Sequence, residues 1–154
     1  MKRCLAFVSL LWLLCLNTTV AFSQTPSETF RQYHLLMQVR GQEITSICMM
    51  NLQPDQSVVG TVVNEFGVKA FDFTYSQGRA KVLNVVGPLN KWYIRKVLRK
   101  DFTFLLKNLW SGQDLTEKKR TLTHQPDGTV TLRNDRFKIS YTFTPMETPT
   151  NETD

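Results

Sequence analysis

The amino-acid sequence predicts a mainly β (α+β) domain in which a strongly curved antiparallel sheet of about eight strands wraps around one amphipathic helix. Three observations indicate this fold class. Short apolar runs with a period of two residues recur along the chain, and turn residues separate them. The connections between the runs hold only two to five residues, which favours antiparallel neighbours. One later segment changes to the helical period of about 3.6 residues.

The first five predicted strands form a meander. Their connecting segments contain glycine, proline, asparagine or aspartate, the residues that turns most often use. Gly41, Pro54, Gly67 and Gly78 mark the four connections, in chain order. The strands span residues 33–39, 44–52, 58–63, 69–75 and 79–85.

One helix is predicted at residues 90–109, with Asn90 as its N-cap and Gly112 as its stop. A basic amphipathic helix can lie on a membrane or bind a partner groove. Its apolar side more often covers the protein's own sheet, and we favour that arrangement. The apolar residues at i, i+3, i+4 spacing are Ile94, Val97, Leu98, Phe102, Leu105 and Leu106. The cations, mostly on the other side, are Lys91, Arg95, Lys96, Arg99, Lys100 and Lys107.

Three further strands are predicted after the helix, at residues 116–124, 129–134 and 137–143. An Asp-Gly dipeptide at residues 127–128 joins the first two of these strands and is a strong hairpin signal. In the last strand, apolar and polar residues alternate, so one face should contact the core and the other should face water.

Two of the strands, at residues 44–52 and 69–75, carry apolar side chains on both faces. Such strands need cover on both sides, and a strongly curved sheet around the helix would provide it. A sheet that encloses a hydrophobic cavity would also satisfy the pattern. We expect a cavity of about 300–1,000 Å³ between helix and sheet, which would hold an apolar ligand. The ligand-binding residues expected to line it are Met49, Val62, Phe71, Phe73, Trp92 and Leu98.

No residue pattern predicts catalysis, a metal site or a cofactor. The two histidines, His34 and His124, lie about ninety residues apart, and no nucleophile–base motif accompanies them. Together with Cys48 they give no recognised zinc spacing. Cys48 lies in an apolar run and is expected to be buried and inert. Asp72 is expected to be a solvated strand carboxylate. We therefore expect a binding protein and not an enzyme.

The first part of the chain, residues 1–23, has the layout of a cleavable signal peptide. A basic start precedes an apolar run at residues 5–16, and the small residues Ala21 and Ser23 stand at positions −3 and −1. The apolar run is too short for a bilayer span, which needs roughly 20 residues. We therefore expect an exported protein.

Cleavage is expected between Ser23 and Gln24 because of this small-residue pattern. Edman sequencing of the exported protein should begin at Gln24 or within a residue or two of it. An uncleaved chain retained in the membrane would contradict the prediction.

Removal of the signal peptide would leave one domain, at residues 24–144, and a polar tail at residues 145–154 that is expected to be disordered. The full chain has a net charge of +6, and its cations are spread along the sequence. A solvated surface explains that charge without an anionic partner. Nucleic-acid binding is not expected, because the basic helix has no recognition-helix context.

The order of these elements is similar to that of the LolA/LolB-like carriers of outer-membrane lipoproteins. Residues 44–75 and 89–106 resemble uncharacterised envelope relatives of that group, in which a "G…F.F" strand pair likewise precedes a Leu-Asn-Lys helix start. The resemblance implies an incompletely closed half-barrel around a hydrophobic cavity for acyl chains. No functional residue is carried over from the family.

Two function classes follow from these observations. The resemblance implies a periplasmic carrier for an apolar ligand, either a lipid acyl chain or a lipidated protein, without chemical conversion. The alternative is an exported interaction module whose sheet is filled by its own side chains and whose surface binds an envelope protein. Peripheral contact with a membrane is compatible with both classes.

Overall fold

The computed structural model describes residues 29–146, which form one antiparallel sheet and one α-helix. The predicted signal peptide and residues 147–154 of the predicted tail lie outside the described residues. The strands are β1 (Thr29–Val39), β2 (Gln42–Leu52), β3 (Val58–Asn64), β4 (Lys69–Ser76), β5 (Arg79–Leu83), β6 (Leu115–Glu117), β7 (Arg120–His124), β8 (Val130–Asn134) and β9 (Ile139–Pro145). The helix is α1 (Trp92–Asn108), and a 3-10 turn at Gly87–Leu89 precedes it.

The sheet has nine strands in the order β5-β4-β3-β2-β1-β9-β8-β7-β6. The first described strand, β1, therefore lies at the centre, between β2 and the last strand, β9. The outer strands β5 and β6 do not pair with each other, so the sheet stays open and curves around α1. The predicted fold class, a curved antiparallel half-barrel around one helix, is confirmed.

The predicted strand at residues 116–124 is in fact two strands, which is why the sheet has nine strands. A tight turn at Lys118 and Lys119 reverses the chain between β6 and β7, and both lysines have positive φ, 50° and 64°. Two positive φ values are the geometry of a type I′ hairpin turn, for which Asn and Gly are the usual residues. Because lysine is not typical of this turn type, the sequence at Lys118 and Lys119 does not indicate a hairpin turn.

The helix begins later than predicted, at Trp92, with Lys91 as its N-cap and no side-chain capping bond. Asn90 ends the 3-10 turn instead, and its N–H donates to the carbonyl of Gly87 at 3.0 Å. The helix holds 17 residues. Within residues 29–146, no helix combines the length and apolarity that crossing a bilayer requires.

The last strand also has different ends. It begins at Ile139, whereas Phe137 lies in the preceding turn. It ends at Pro145, the first residue of the predicted tail, and the N–H of Met146 donates to the carbonyl of Gln32 on β1 at 2.9 Å. The pairing of β1 with β9 therefore continues to the end of the described chain.

Candidate functional site

The inner face of the sheet, defined here as the face that contacts α1, carries buried apolar side chains on every strand from β5 to β7, together with the polar residues Asn134 on β8 and Arg120 on β7. Each of these strands places buried side chains on it because apolar residues recur at every second position. The buried apolar residues of the inner face are Ala80, Val82, Phe71, Phe73, Val58, Val62, Cys48, Met50, Tyr33, Leu35, Met37, Tyr141, Phe143, Val130, Leu132 and Leu122, and the buried polar residues Ser46 and Asn134 share it. The helix covers this face with Leu98, Phe102, Leu105 and Leu106.

Phe102 occupies the centre of the space between helix and sheet and is buried. Its ring centroid lies 5.4 Å from that of Phe71 and 4.9 Å from that of Phe73. On the other half of the sheet, the centroids of Tyr141 and Phe143 lie 6.2 and 6.3 Å away. Edge-to-face and tilted ring pairs at these distances are favourable. One helical side chain thus joins the two halves of the sheet.

The structure brings together four of the six residues predicted to line a ligand cavity. Val62, Phe71 and Phe73 are fully buried on the inner face, and Leu98 faces them from α1. Met49 is half-buried on the outer face, because it stands between the inward-facing Cys48 and Met50.

Trp92, the sixth residue of that set, is the first residue of α1 and is 75% exposed. Trp92 precedes Leu98 by six residues, which places it about 120° away around the helix and off the buried stripe that Leu98 and Phe102 form. Met49 and Trp92 therefore lie apart from the other four residues.

Gly60 makes room for one of the buried rings. It pairs with Phe73 across β3 and β4, and a Cβ atom at position 60 would lie 2.2 Å from Cζ of that ring and 2.6 Å from the carbonyl oxygen of Met49. The Phe73 ring therefore rests directly on the β3 backbone. The absence of a side chain at Gly60 therefore allows the Phe73 ring to pack on the inner face of the sheet.

A buried polar network anchors α1 to the half of the sheet formed by β7, β8 and β9. Asp101 is fully buried on the helix. Its carboxylate accepts hydrogen bonds from Arg120 Nε at 2.7 Å, from Asn134 Nδ2 at 2.7 Å and from the hydroxyl of Tyr141 at 3.0 Å. We call these four residues the Asp101 latch.

The latch keeps Tyr141 in its neutral form. Burial, together with the neighbouring Asp101 carboxylate, raises the pKa of Tyr141 well above its ordinary value. Tyr141 therefore stays a neutral hydrogen-bond donor. Because three donors satisfy the carboxylate and a cation faces it, the latch has the composition of a structural ion pair. Sequence reasoning missed Asp101, although a carboxylate three residues after Leu98 on the apolar stripe was a visible signal.

On the other side, α1 is fixed to the edge strand β5. The backbone N–H of Ala80 donates to Oγ1 of Thr103 at 3.0 Å, and that hydroxyl donates in turn to the carbonyl of Arg99 at 2.7 Å. The helix therefore caps one outward-facing N–H of an edge strand that would otherwise present it to solvent or to another chain.

The other reactive residue types have structural surroundings. Cys48 is buried, and burial raises the pKa of its thiol well above the ordinary value, which keeps it protonated. His124 Nε2 lies 3.2 Å from the carbonyl of Leu109. Burial opposes ionisation of Asp72, but hydrogen bonds from Asn84, Thr61 and Lys69 hold its pKa below the ordinary value. Within residues 29–146, no three His, Cys, Asp or Glu side chains cluster closely enough to hold a metal ion.

The outer surface has a groove between β5 and the first half of α1, with a volume of about 460 Å³. We call it the cationic groove. It combines cations with apolar side chains and has no carboxylate in its lining. The lining residues are Lys81, Val82, Leu83, Trp92, Arg95, Lys96 and Arg99.

A second, larger depression of about 1150 Å³ lies between the β1–β2 turn and the β8–β9 turn. Its lining holds four cations, Arg40, Arg133, Arg136 and Lys138, and two carboxylates, Glu43 and Asp135. The carboxylates offset part of the positive charge, and Arg133 is paired with Asp135 at 2.8 Å, whereas the cationic groove has no carboxylate in its lining.

No protein-family model matches the chain, and a search of curated proteins found no match. Any proposal about function therefore depends on the geometry of the inner face, of the Asp101 latch and of the cationic groove.

Proposed function

We propose that the protein is a non-catalytic carrier of the periplasm that binds an apolar ligand, an acyl chain, on the inner face of its sheet. The observation that supports this proposal is an open sheet whose inner face carries buried apolar side chains on every strand from β5 to β7 and is covered by a single helix. Within the described residues, α1 is the one helix that covers the inner face, so displacing it would expose that face.

Binding requires α1 to shift, because Phe102 occupies the space that an acyl chain would fill. The chain would then contact Val62, Phe71, Phe73 and, on the displaced helix, Leu98. Each buried methylene contributes about 0.8 kcal/mol, so eight methylenes would contribute about 6 kcal/mol before the costs of immobilisation and helix movement. Affinity should therefore be modest, increase with chain length and depend little on salt.

One observation favours the second candidate, an interaction module that binds an envelope protein without a cavity. Phe102 packs against rings from both halves of the sheet, and this packing fills the interior in the manner of a permanent core. The two candidates differ in whether loosening α1 changes ligand binding.

Replacing Tyr141 with phenylalanine should tighten acyl-chain binding. The change keeps the aromatic ring but removes one hydrogen bond to Asp101, which contributes about 1 kcal/mol to holding α1 closed. A ligand that binds only the open form must supply the free energy of opening. Lowering that free energy by about 1 kcal/mol should therefore raise the apparent affinity roughly fivefold. The measurement is a fluorescence titration of the chain from Gln24 onward, which carries the whole described core, with a fluorescent fatty acid.

Tyr75→Phe is the matched control, because it makes the same chemical change on β4, outside the Asp101 latch. It should leave the affinity unchanged. If neither the original protein nor Tyr141→Phe binds the fatty acid saturably, the carrier proposal is wrong and the interaction module takes its place. Binding that disappears in moderate salt would also contradict a site on the inner face.

A further inference from the structure

The cationic groove collects positive charge from two elements that are distant in sequence. Lys81 projects from the edge strand β5, whereas Arg95, Lys96 and Arg99 come from successive turns of α1. None of these four residues forms an ion pair with any carboxylate in residues 29–146. The groove therefore presents four uncompensated cations and no anion, which is a surface complementary to an anionic partner.

Large apolar side chains stand exposed beside these cations. Trp92 is 75% exposed and Tyr93 is 54% exposed, and their rings meet edge to face at 6.0 Å. Leu83 at the end of β5 lines the same groove and is also exposed. Tryptophan and tyrosine rings with an apolar body and a polar edge are the side chains that settle at the boundary between lipid and water.

The charges at the N-terminus of α1 are unfavourable for the helix dipole, whose positive end lies there. Lys91 is the N-cap, no acidic residue occupies the first turn, and no side chain caps the free N–H groups. Cations near the positive end of a helix are unfavourable, typically by a few tenths of a kcal/mol each. An anionic surface that approached the groove would neutralise both the cations and this end of the helix.

The apolar side of α1 cannot take part in membrane binding in the way that an interfacial amphipathic helix does. Leu98, Phe102 and Leu105 are buried against the sheet. Only the cationic side and the aromatic residues at the helix start remain accessible. Contact with a lipid surface would therefore depend mainly on charge, with Trp92 adding a shallow apolar anchor.

We propose that the cationic groove is the surface through which the protein docks on an anionic lipid bilayer. This inference rests on the proposed function, because a carrier of acyl chains must exchange its ligand with a membrane. Four cations and the exposed side chains of Trp92 and Leu83 line one groove, and the exposed ring of Tyr93 contacts Trp92. This combination matches the headgroup region of a bilayer, where phosphate and hydrocarbon meet. A soluble anion would use the cations and leave the exposed rings in water.

The test is co-sedimentation of the chain from Gln24 onward with vesicles of phosphatidylcholine alone or mixed with phosphatidylglycerol. We expect binding to the mixed vesicles only, and a marked loss of binding between about 50 and about 200 mM salt. Lys96→Glu combined with Arg99→Glu should lower the vesicle affinity at least about tenfold. The reason is that each cation close to an anionic membrane raises the affinity for that membrane severalfold.

The matched control is Arg31→Glu combined with Lys107→Glu. It reverses two exposed charges of the same sign, but Arg31 lies on β1, four strands from β5, and Lys107 lies two turns beyond Arg99 on α1. This control should keep most of the affinity. In a Trp110→Phe background, the emission of Trp92 should shift to shorter wavelength on the mixed vesicles and stay unchanged with inorganic phosphate.

Three results would overturn the docking surface: equal binding to both vesicle types, equal losses for the two double variants, or a Trp92 emission that the vesicles do not change. Competition by an acidic peptide that displaces the vesicles at equal charge concentration would assign the groove to a protein partner instead. Lys96→Glu with Arg99→Glu should not alter fatty-acid affinity in solution, and Tyr141→Phe should not alter docking. Failure of one proposal can therefore be told apart from failure of the other.

Discussion

Replacing Phe102 with alanine is expected to lower the free energy of unfolding by about 3–5 kcal/mol, which is the usual range for removing a buried phenylalanine. Phe102 should lie at the high end because its ring contacts both halves of the sheet, through Phe71 and Phe73 on one side and Tyr141 and Phe143 on the other. The measurement is chemical denaturation followed by circular dichroism.

Lys100→Ala on the same helix is the control, and its exposed side chain should contribute no more than about 0.5 kcal/mol. Phe71→Ala and Leu98→Ala should also be costly, in the range of about 2–5 kcal/mol, because both side chains are buried. Equal effects at Phe102 and Lys100 would mean that the helix does not cover the sheet with this stripe.

Asp101→Ala is expected to cost about 3–5 kcal/mol, because it leaves one cation and two polar donors without their shared acceptor. The side chain of Arg120 is only 13% exposed, so water cannot replace the lost carboxylate fully. Asn134 and Tyr141 are buried as well. We expect a clear decrease of the denaturation midpoint with little change of its slope.

A double-mutant cycle that combines Asp101→Ala with Arg120→Met measures the interaction free energy between these two side chains. Removing both charges should cost less than the sum of the two single changes, because no buried charge is then left unpaired. The control is Asp135→Ala, which breaks the exposed pair with Arg133 at 2.8 Å and should cost no more than about 1 kcal/mol. Additive costs for Asp101 and Arg120 would show that the two side chains do not stabilise the fold as a pair.

Much of the fold was predictable because its signals are local. A period of two in the strands and of 3.6 in α1 can be read within a dozen residues, and glycine marks most of the turns. The turn at Lys118 and Lys119 was not predicted, because these lysines adopt positive φ values and neither Asn nor Gly is present to indicate a turn there.

The candidate site was less predictable because its partners come from distant parts of the chain. Asp101 meets Arg120, Asn134 and Tyr141 across 19, 33 and 40 residues. The position of Asp101 on the apolar stripe could have indicated that it is buried. No neighbouring residue in the sequence, however, indicates which side chains donate hydrogen bonds to it. Lys81 likewise joins the helix cations only because α1 packs beside β5.

Met49 illustrates a different limit. The alternation of β2 already separates Met49 from Cys48 and Met50, so the sequence contains the information that places it outside. Which of the two faces the helix covers is decided by how the whole sheet curves, and the strand's own pattern is apolar on both sides.

The central position of β1 has a consequence for how the protein reaches its native state. Its neighbour β9 is the last described strand, and the hydrogen bond from Ser140 to Gln38 spans 102 residues. Because synthesis starts at the N-terminus, the β1–β5 meander can form before the rest of the chain is made. One edge of β1, however, stays unpaired until β9 has been synthesised. Closing so long a loop is entropically costly and slow. During that interval the middle of the sheet is an open strand edge available to other chains, and the acquisition of β9 is the event that removes it.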